Sequence, residues 1–354
     1  MLSLEKEKNR SVEKITYPID FVVTWVDASD PEWLSQKEKY HTELSHSEKK
    51  DNSSFRYREW GMFRYWFRAV EQYAPWVRYV WLVTCGHTPE WLNTEHPKLR
   101  VVRHEDFIPK EYLPTFSSIY IELNLWRISG LSEHFVYFND DMYLFDNASA
   151  GDFFTGNLPN LCGVTMPLYA HPEMSSYEHE ILNDIGLCNS VCRIRDVMTD
   201  APEKWFSYKY GENTIYNHMT YIVGYLSGII FSHLPLPMRK SSMEQCHEAF
   251  EESFRRTCMN KFRSMENINQ QIFFMWEICH NTFEPVSMEH YGFACNISKE
   301  NMVGIREAFR KGARILSVCL NDSEKASDVD YEDLKRDVTE LMNKKFPSRS
   351  SYEK

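Results

Sequence analysis

The chain has 354 residues, of which 43% are hydrophobic and 15% aromatic, enough to form one large domain or two of ordinary size. Its 51 acidic and 40 basic residues give a formal net charge of −11. This charge argues against nucleic-acid binding that is independent of sequence, so a phosphate-bearing ligand has to be held by local arginine or lysine clusters.

The termini and the cysteines indicate a cellular compartment. The first ten residues lack the apolar core of a secretory signal, and the longest apolar stretch, residues 221–231, is far shorter than the roughly 20 residues of a spanning helix. The nine cysteines include no CxxC pair, which favours packed, reduced thiols over disulfides or a zinc site. These features predict a cytoplasmic protein, free or peripheral at the inner face of the membrane, without a transmembrane segment.

Strands and helices alternate through the first half of the chain. Residues 19–26 form an almost wholly apolar, β-prone run that is typical of a strand buried on both faces. The predicted strands cover residues 19–26, 77–84, 99–103 and 135–138, and the predicted helices cover residues 56–74 and 118–128. This alternation predicts an α/β fold with a mainly parallel sheet flanked by helices. The carboxyl ends of the strands, at Asp27, Cys85 and Asn139, should then lie along one edge.

The second half is less regular. Periodicity is poor over residues 148–223, which predicts an insertion or cap. Further helices are predicted over residues 242–257 and 268–280, a late strand over residues 314–320, and an amphipathic helix in the charged tail. The predicted organisation is a first part of the α/β domain over residues 14–147, the cap over 148–223, a second part of the domain over 224–322 and a helical tail over 323–354.

Two adjacent carboxylates follow the strand predicted over residues 135–138. Asn139, Asp140 and Asp141 stand at its carboxyl end. Carboxylates there are unfavourable unless water, hydrogen-bond donors or a cation neutralises them. Ligands of open α/β sheets bind in the crevice beyond the strand ends. The pattern therefore indicates a ligand site, with a solvated turn as the alternative because Asn and Asp also favour turns.

Basic residues cluster on the helix predicted over residues 56–74. Arg58 stands near its amino end, where a cation opposes the helix dipole, and Arg64 and Arg68 repeat at i and i+4 on one face. A bound anion would relieve the conflict at the amino end. The alternative is a solvated basic face that is paired with nearby glutamates.

Several blocks of this sequence resemble the Stealth family of sugar-phosphate transferases. That family includes bacterial capsular polysaccharide phosphotransferases and the catalytic subunit of the animal lysosomal-enzyme N-acetylglucosamine-1-phosphotransferase. The resembling blocks are IDFVVTWVDASDPEW (19–33), FRYREWGMFRYWFRAVEQYAPWVRYVWLVTCGHTPEWL (55–92), LPTFSSIYIELNLWRISGLSEHFVYFNDDMYL (113–144), SHLPLPMRKS (232–241), KFRSMENINQ (261–270) and SVCLND (317–322). The sequence departs from the usual family pattern at Gly61-Met62, Ser117 and Trp126.

The resemblance implies a reaction and a fold. The reaction is transfer of a sugar 1-phosphate from a nucleotide diphosphate sugar to a hydroxyl of an acceptor glycan, free or lipid-linked, which forms a phosphodiester in a capsular or cell-surface polysaccharide. The fold is similar to that of nucleotide-sugar transferases. Attack at phosphorus spreads charge over the non-bridging oxygens, so the chemistry needs a divalent cation, arginine donors and a base for the attacking hydroxyl.

The same resemblance implies roles for particular residues. Asp140 and Asp141, with Asp322 as a weaker candidate, offer oxygen ligands that suit Mg²⁺ or Mn²⁺. His233 is the candidate for proton transfer because imidazole titrates near neutrality, although a lone His before Leu-Pro is otherwise more often structural. Asp141 and Arg263 complete the predicted catalytic set. The residues predicted to bind substrate are Asp27, Ser29, Asp30, Arg58, Arg64, Arg68 and Asn139.

Two other functions fit the residues. A metal-dependent glycosyltransferase also places acids after a strand to bind a nucleotide sugar through a cation, but it attacks the anomeric carbon. A catalytically silent glycan-binding subunit would release no nucleotide at all. The combination of Asp140, Asp141, His233 and Arg263 argues against the silent subunit.

Overall fold

The structure is a computed structural model that describes residues 15–41, 60–310, 314–322 and 328–354. The strands are β1 (Ile19–Thr24), β2 (Val80–Thr84), β3 (Leu99–Arg103), β4 (His134–Phe138), β5 (Met142–Leu144), β6 (Phe154–Thr155), β7 (Leu158–Leu161), β8 (Leu236–Arg239), β9 (Glu284–Pro285), β10 (Gly292–Asn296) and β11 (Ser317–Asn321). The helices are α1 (Pro31–His41), α2 (Phe63–Tyr73), α3 (His104–Phe107), α4 (Ser118–Glu122), α5 (Ala150–Phe153), α6 (Ser176–Val191), α7 (Ile194–Asp200), α8 (Pro202–Trp205), α9 (Thr214–Val223), α10 (Lys240–Ala249), α11 (Glu251–Met259), α12 (Gln271–Cys279), α13 (Met302–Ala308) and α14 (Asp328–Lys345). Among these helices none is both long enough and apolar enough to span a bilayer.

The central sheet has the strand order β3-β2-β1-β4-β8. The first four strands are parallel and β8 is antiparallel to β4, which confirms the predicted α/β fold with a mainly parallel sheet. The apolar run of β1 is explained by burial on both faces. Phe21 and Val23 belong to one apolar cluster, whereas Val22 belongs to the cluster on the other face. The second cluster also contains residues of α4, α6, α10 and α12.

Smaller sheets extend this core. β10, β11 and β5 form one of them, in which β11 is parallel to β10 and antiparallel to β5. β6, β7 and β9 form another. The late strand predicted over residues 314–320 is thus found as β11, and it lies beside the chain that leaves β4 through β5. This pairing carries the end of β11 toward the end of β4.

Two predicted helices are interrupted in the structure. The helix predicted over residues 118–128 ends at Glu122 and gives way to a 3₁₀ turn at Leu125–Arg127. The helix predicted over residues 242–257 is divided into α10 and α11 at Phe250, whose backbone is not helical. Phe250 is buried there, with its ring 5.7 Å from that of Trp276. Tertiary packing at this residue outweighs the local helical pattern.

Asp20 holds the amino ends of three strands together. This residue of β1 is 0% exposed. Its carboxylate accepts hydrogen bonds from Arg78 Nε at 2.8 Å, Trp81 Nε1 at 2.9 Å and the Ser132 backbone N at 2.9 Å. A buried charge is tolerated only when it is paired and hydrogen-bonded in this way. The network ties β1 to β2 and to the segment before β4. It lies at the amino ends of these strands, opposite the carboxyl end where Asn139 stands.

The C-terminal helix belongs to the main core. Val338 and Met342 of α14 are 0% exposed and lie in the same apolar cluster as Phe67 of α2. Beyond α14, Phe346 and Tyr352 are also buried in this cluster. The charged tail predicted from the sequence therefore carries an apolar face that packs against α2.

Candidate functional site

A cavity of about 630 Å³ lies at the carboxyl ends of β1, β2 and β4. This volume is in the range of small-molecule sites. Its wall includes the ends of β1 and β2 at Thr24 and Val83, α4, the segment after β4 and the end of β11. The predicted site residues that line it are Asn139, Asp140, Asp141, His233, Arg263 and Asp322. Parallel pairing of the strands brings their ends together, and the pairing of β11 with β5 adds Asp322.

His233 lies against the residues that follow β4. Its Nε2 is 3.3 Å from the amide nitrogen of Asn139 and 3.8 Å from a carboxylate oxygen of Asp141. His233 and Asp141 come from segments more than 90 residues apart in sequence. Both side chains are partly open to solvent, at 37% and 22% exposure. An imidazole that is accessible and close to a carboxylate is able to take up and release a proton.

The same corner of the cavity contains atoms that could hold a cation. Ligand atoms of Asp141, His233 and Cys319 all lie within 4.8 Å of one another. Burial raises the pKa of the Cys319 thiol well above its ordinary value, and Asp141 and Asp140 add to this shift. The thiol is therefore protonated at neutral pH and a poor ligand for a hard cation.

Two buried oxygen atoms in this corner have no hydrogen-bond donor within the described ranges. They are Oδ1 of Asn139 and Oδ1 of Asp141. Leaving a buried acceptor unpaired costs about 1–3 kcal/mol, more for a charged group, so such atoms in a cavity indicate a missing partner. Carboxylate and amide oxygens are ligands that Mg²⁺ and Mn²⁺ prefer. The donor set at the end of β4 therefore fits the predicted divalent cation.

Glu122 is a site residue that the sequence analysis missed. It ends α4, lines the cavity and is 2% exposed. Burial raises the pKa of Glu122, although hydrogen bonds from the Tyr137 and Ser118 side chains and the charges of Arg263 and His233 oppose this shift. The sequence signal for Glu122 is a single acidic residue in a mostly apolar predicted helix, within a block that resembles the Stealth family. A buried acid near Arg263 and His233 extends the ionisable cluster across the cavity.

Three predicted substrate-binding residues follow β1 but do not line the cavity. The backbone N and the hydroxyl of Ser29 donate hydrogen bonds to Asp27 at 2.9 and 2.6 Å. Burial alone would raise the pKa of Asp27, but these bonds bring it below its ordinary value. Asp30 accepts a hydrogen bond from the backbone N of Trp33 at 2.7 Å and so caps the first turn of α1. These side chains stabilise the turn between β1 and α1.

The predicted arginine cluster is divided. Arg58 lies outside the described residues. The Arg64 guanidinium lies over the Trp91 ring, 5.6 Å from its centroid, and Arg64 does not line the cavity. Arg68 is 8% exposed, and its guanidinium pairs with both carboxylate oxygens of Glu353 at 2.7 and 2.8 Å. The structure therefore gives Arg68 a partner in the C-terminal segment rather than a position at the cavity. Arg68 is therefore neither at the cavity nor on a solvated face paired with nearby glutamates, because it is buried and its partner is the distant Glu353.

Positions that depart from the family pattern also reach the cavity. Met62 and Ser117 line it together with the rings of Trp25, Trp60 and Phe116. Met62 and these three rings give the wall an apolar and aromatic portion in addition to the ionisable cluster. The cavity therefore combines ionisable side chains with an aromatic surface.

Two regions of the chain match models of a known protein family. The model described as Stealth protein CR1, conserved region 1, matches residues 17–45, and that described as Stealth protein CR2, conserved region 2, matches residues 56–160. The chain is 38% identical over 336 residues to the capsular polysaccharide phosphotransferase WcwK of Streptococcus pneumoniae, covering 95% of this chain and 98% of that protein. It is 34% identical to the receptor polysaccharide phosphotransferase WefC of Streptococcus gordonii, covering 95% of this chain and 98% of that protein.

A solved structure is similar at a greater distance. The galactosyltransferase LgtC, in complex with donor and acceptor sugar analogs, aligns over 94% of this chain and 98% of its own, with 12% sequence identity and a TM-score of 0.38.

Replacing Glu122 with Gln should stabilise the fold in a pH-dependent way. Because burial raises its folded pKa, ionisation costs folding free energy as the pH rises above the unfolded value of about 4.3. Glu122→Gln removes this cost. The Tm of the variant should therefore exceed that of the unmodified protein at pH 7, and the difference should shrink toward pH 4. Calorimetry across this range measures it, with Glu95→Gln, an exposed carboxyl, as the control. An equal difference at both pH values would contradict the raised pKa.

Proposed function

Because the chain belongs to the Stealth family, we propose that it transfers a sugar 1-phosphate from a nucleotide diphosphate sugar to a hydroxyl of an acceptor glycan. The product is a phosphodiester in a capsular or other cell-surface polysaccharide. Relatives that match nearly the whole chain at 32–38% identity are named capsular, receptor or exopolysaccharide phosphotransferases. The proposal is supported most directly by one observation: Asp141, His233 and Arg263 line the same cavity.

The reaction is a substitution at the phosphorus that carries the sugar. The acceptor oxygen forms a new bond to this phosphorus, and the bond to the bridging oxygen between the two phosphates breaks. The electron pair of that bond leaves with the nucleoside monophosphate, and the sugar keeps its phosphate. The proton of the acceptor hydroxyl has to be removed as the oxygen attacks.

His233 is the proposed proton acceptor. It is partly open to the cavity, and Asn139 and Asp141 lie close to Nε2, at 3.3 and 3.8 Å. Glu122 is a second candidate, because a carboxyl whose pKa is raised by burial is a stronger base than an ordinary one. In either case Arg263 is proposed to stabilise charge on the transferred phosphoryl group through its planar fork of donors.

Asp140, Asp141 and Asn139 are proposed to hold Mg²⁺ or Mn²⁺, with Asp322 as a weaker candidate. The unpaired oxygens of Asn139 and Asp141 support this choice. When bound, such a cation neutralises negative charge on phosphate oxygens. Asp140 and Asp141 would hold the cation beside His233, and Arg263 would bind oxygens of the donor's phosphates.

The substrate and its location follow from the same proposal. The apolar wall near Met62 and Ser117 is proposed to distinguish substrates, since both positions depart from the family pattern and both line the cavity. We propose that the reaction takes place in the cytoplasm, where nucleotide-activated sugar donors are made. A lipid-linked acceptor would require the protein to work peripherally at the inner face of the membrane.

The nucleotide that is released tests the reaction. Purified protein is incubated with UDP-sugar donors, a glycan acceptor and Mg²⁺, and the nucleotides are separated by anion exchange. Attack at phosphorus predicts UMP and a product with a phosphodiester signal in phosphorus NMR. Release of UDP with a phosphate-free product would instead establish a glycosyltransferase that acts at the anomeric carbon. Absence of any nucleotide release with every donor tested would favour the silent glycan-binding subunit.

Asp141→Asn should weaken cation binding and activity together. Loss of one charged oxygen ligand is expected to lower kcat by at least about 100-fold, while the fold is retained because Asn is isosteric. Free Mn²⁺ is measured by electron paramagnetic resonance during titration of the protein. Asp200→Asn changes an exposed carboxyl outside the cavity and is the matched control. Unchanged Mn²⁺ binding in Asp141→Asn, or full activity in excess EDTA, would contradict the proposed cation site.

A further inference from the structure

Helix α9 (Thr214–Val223) exposes its apolar side chains. Ile215, Met219, Ile222 and Val223 are 56, 48, 75 and 62% exposed. Their spacing of four, three and one residues places them on one side of the helix. Surface helices of globular proteins usually have the opposite arrangement, with apolar residues toward the core. The outward side of α9 is thus a contiguous apolar surface.

The inward side of the same helix is polar and well bonded. Asn217 and Thr220 are 0 and 3% exposed. The Asn217 side chain accepts a hydrogen bond from Thr165 N at 2.7 Å and donates to Gly163 O at 3.0 Å and Trp205 O at 2.6 Å. Thr220 bonds the Thr165 hydroxyl at 2.8 Å. Rotation of α9 to bury its apolar side chains would break these buried bonds, so the exposed orientation is fixed by the structure.

Tyrosines border this surface. Tyr225 follows α9 and is 67% exposed, and Tyr169 is 73% exposed. The two are brought near each other by a hydrogen bond from Leu168 N to Ser227 O at 3.0 Å. We define the α9 face as Ile215, Met219, Ile222, Val223 and Tyr225, with Tyr169 at its margin. Residues 213–238, which include the whole α9 face, contain no Asp, Glu, Lys or Arg.

We propose that the α9 face is a membrane-contact surface that lies in the boundary between headgroups and acyl chains of a lipid bilayer. This inference deepens the proposed function and rests on its peripheral location. A helix of 10 residues is too short to span a membrane but suits a position in the plane of the interface. Tyrosine rings at the margin of an aliphatic surface are typical of membrane interfaces.

The composition of the α9 face favours lipid over a protein partner. Specific protein interfaces carry about one hydrogen bond per 100–200 Å² and are enriched in arginine. The α9 face instead presents aliphatic side chains from a segment without acidic or basic residues. The neighbouring Arg195 of α7 has its guanidinium bonded to the backbone oxygens of Tyr221 and Ile222. Burial of the aliphatic side chains among acyl chains provides the driving force, and it needs no anionic lipid.

The position of the α9 face gives it a role in catalysis by presentation of the acceptor. The uncharged segment that begins at α9 continues through Phe231 to His233, and both of these residues line the cavity. The segment that follows α9 therefore connects the α9 face directly, along the chain, to the proposed proton acceptor. Such an arrangement suits an acceptor glycan whose lipid remains in the membrane.

Vesicle flotation of the full chain tests the proposal. Vesicles of phosphatidylcholine alone and vesicles that also contain phosphatidylglycerol should both bind the protein, with little loss at high salt because apolar contacts are not screened. The double substitution Ile222→Asp and Val223→Asp should lower the partition coefficient at least about tenfold. Val303→Asp changes a residue of α13 that is 69% exposed and is the matched control, for which binding should be unchanged.

Several results would overturn the proposal. These are failure of the unmodified protein to bind either vesicle, equal loss of binding in Val303→Asp, and binding only to anionic vesicles that salt abolishes. Self-association of the unmodified protein that the double variant loses, without vesicle binding, would make the α9 face a protein interface instead. Light scattering measures this outcome.

The reaction is assayed separately with a water-soluble acceptor. The double variant should retain phosphotransfer in solution, because its side chains lie outside the cavity. Failure of vesicle binding with phosphotransfer intact would overturn the membrane contact alone. Vesicle binding without any phosphotransfer would overturn the proposed reaction and leave the membrane contact standing.

Discussion

The ion pair between the buried Asp20 and the partly exposed Arg78 is the interaction on which the arrangement of the sheet depends. Its carboxylate is 0% exposed and also bonds Trp81 and Ser132, so β1 is tied to β2 and to the start of β4. Removing Arg78 would leave the buried Asp20 carboxylate without its charge partner, which is destabilising. Because the amino ends of these parallel strands are fixed together, their carboxyl ends meet at one edge, where the cavity lies.

Polar and charged groups are hydrogen-bonded differently at the two ends of the sheet. At the Asp20 end the carboxylate is satisfied by several donors, which stabilises the fold. At the cavity end, oxygens of Asn139 and Asp141 have no donor in the part of the chain that the structure describes, and burial raises the pKa of Glu122. These groups cost stability in the unliganded protein. The cost at Asn139 and Asp141 is explained if a divalent cation is the missing partner, since it would bind to oxygens that are already in place.

Local signals predicted β1, β2 and β4, because each is a short, mostly apolar run whose burial follows from its composition. The alternation of elements predicted the mainly parallel sheet. The convergence of Asp141, His233 and Arg263 was predicted from the resemblance, since no local rule joins segments so far apart.

Other features depend on partners distant in sequence. Arg68 was predicted to bind substrate, but its partner Glu353 lies 285 residues away. The sequence predicts Glu122 only as part of a helix. The outward orientation of α9 depends on hydrogen bonds between Asn217 and other segments.

The fate of one bond in the donor tests attack at phosphorus most directly. A donor is prepared with oxygen-18 between the anomeric carbon and the phosphorus that carries the sugar, and the product is examined by phosphorus NMR. Attack at phosphorus predicts that the label stays with the sugar and appears in the phosphodiester as an isotope shift of its resonance. Departure of the label in the nucleoside diphosphate, with a sugar that has lost the oxygen, would contradict a phosphotransferase and show that the anomeric carbon is attacked.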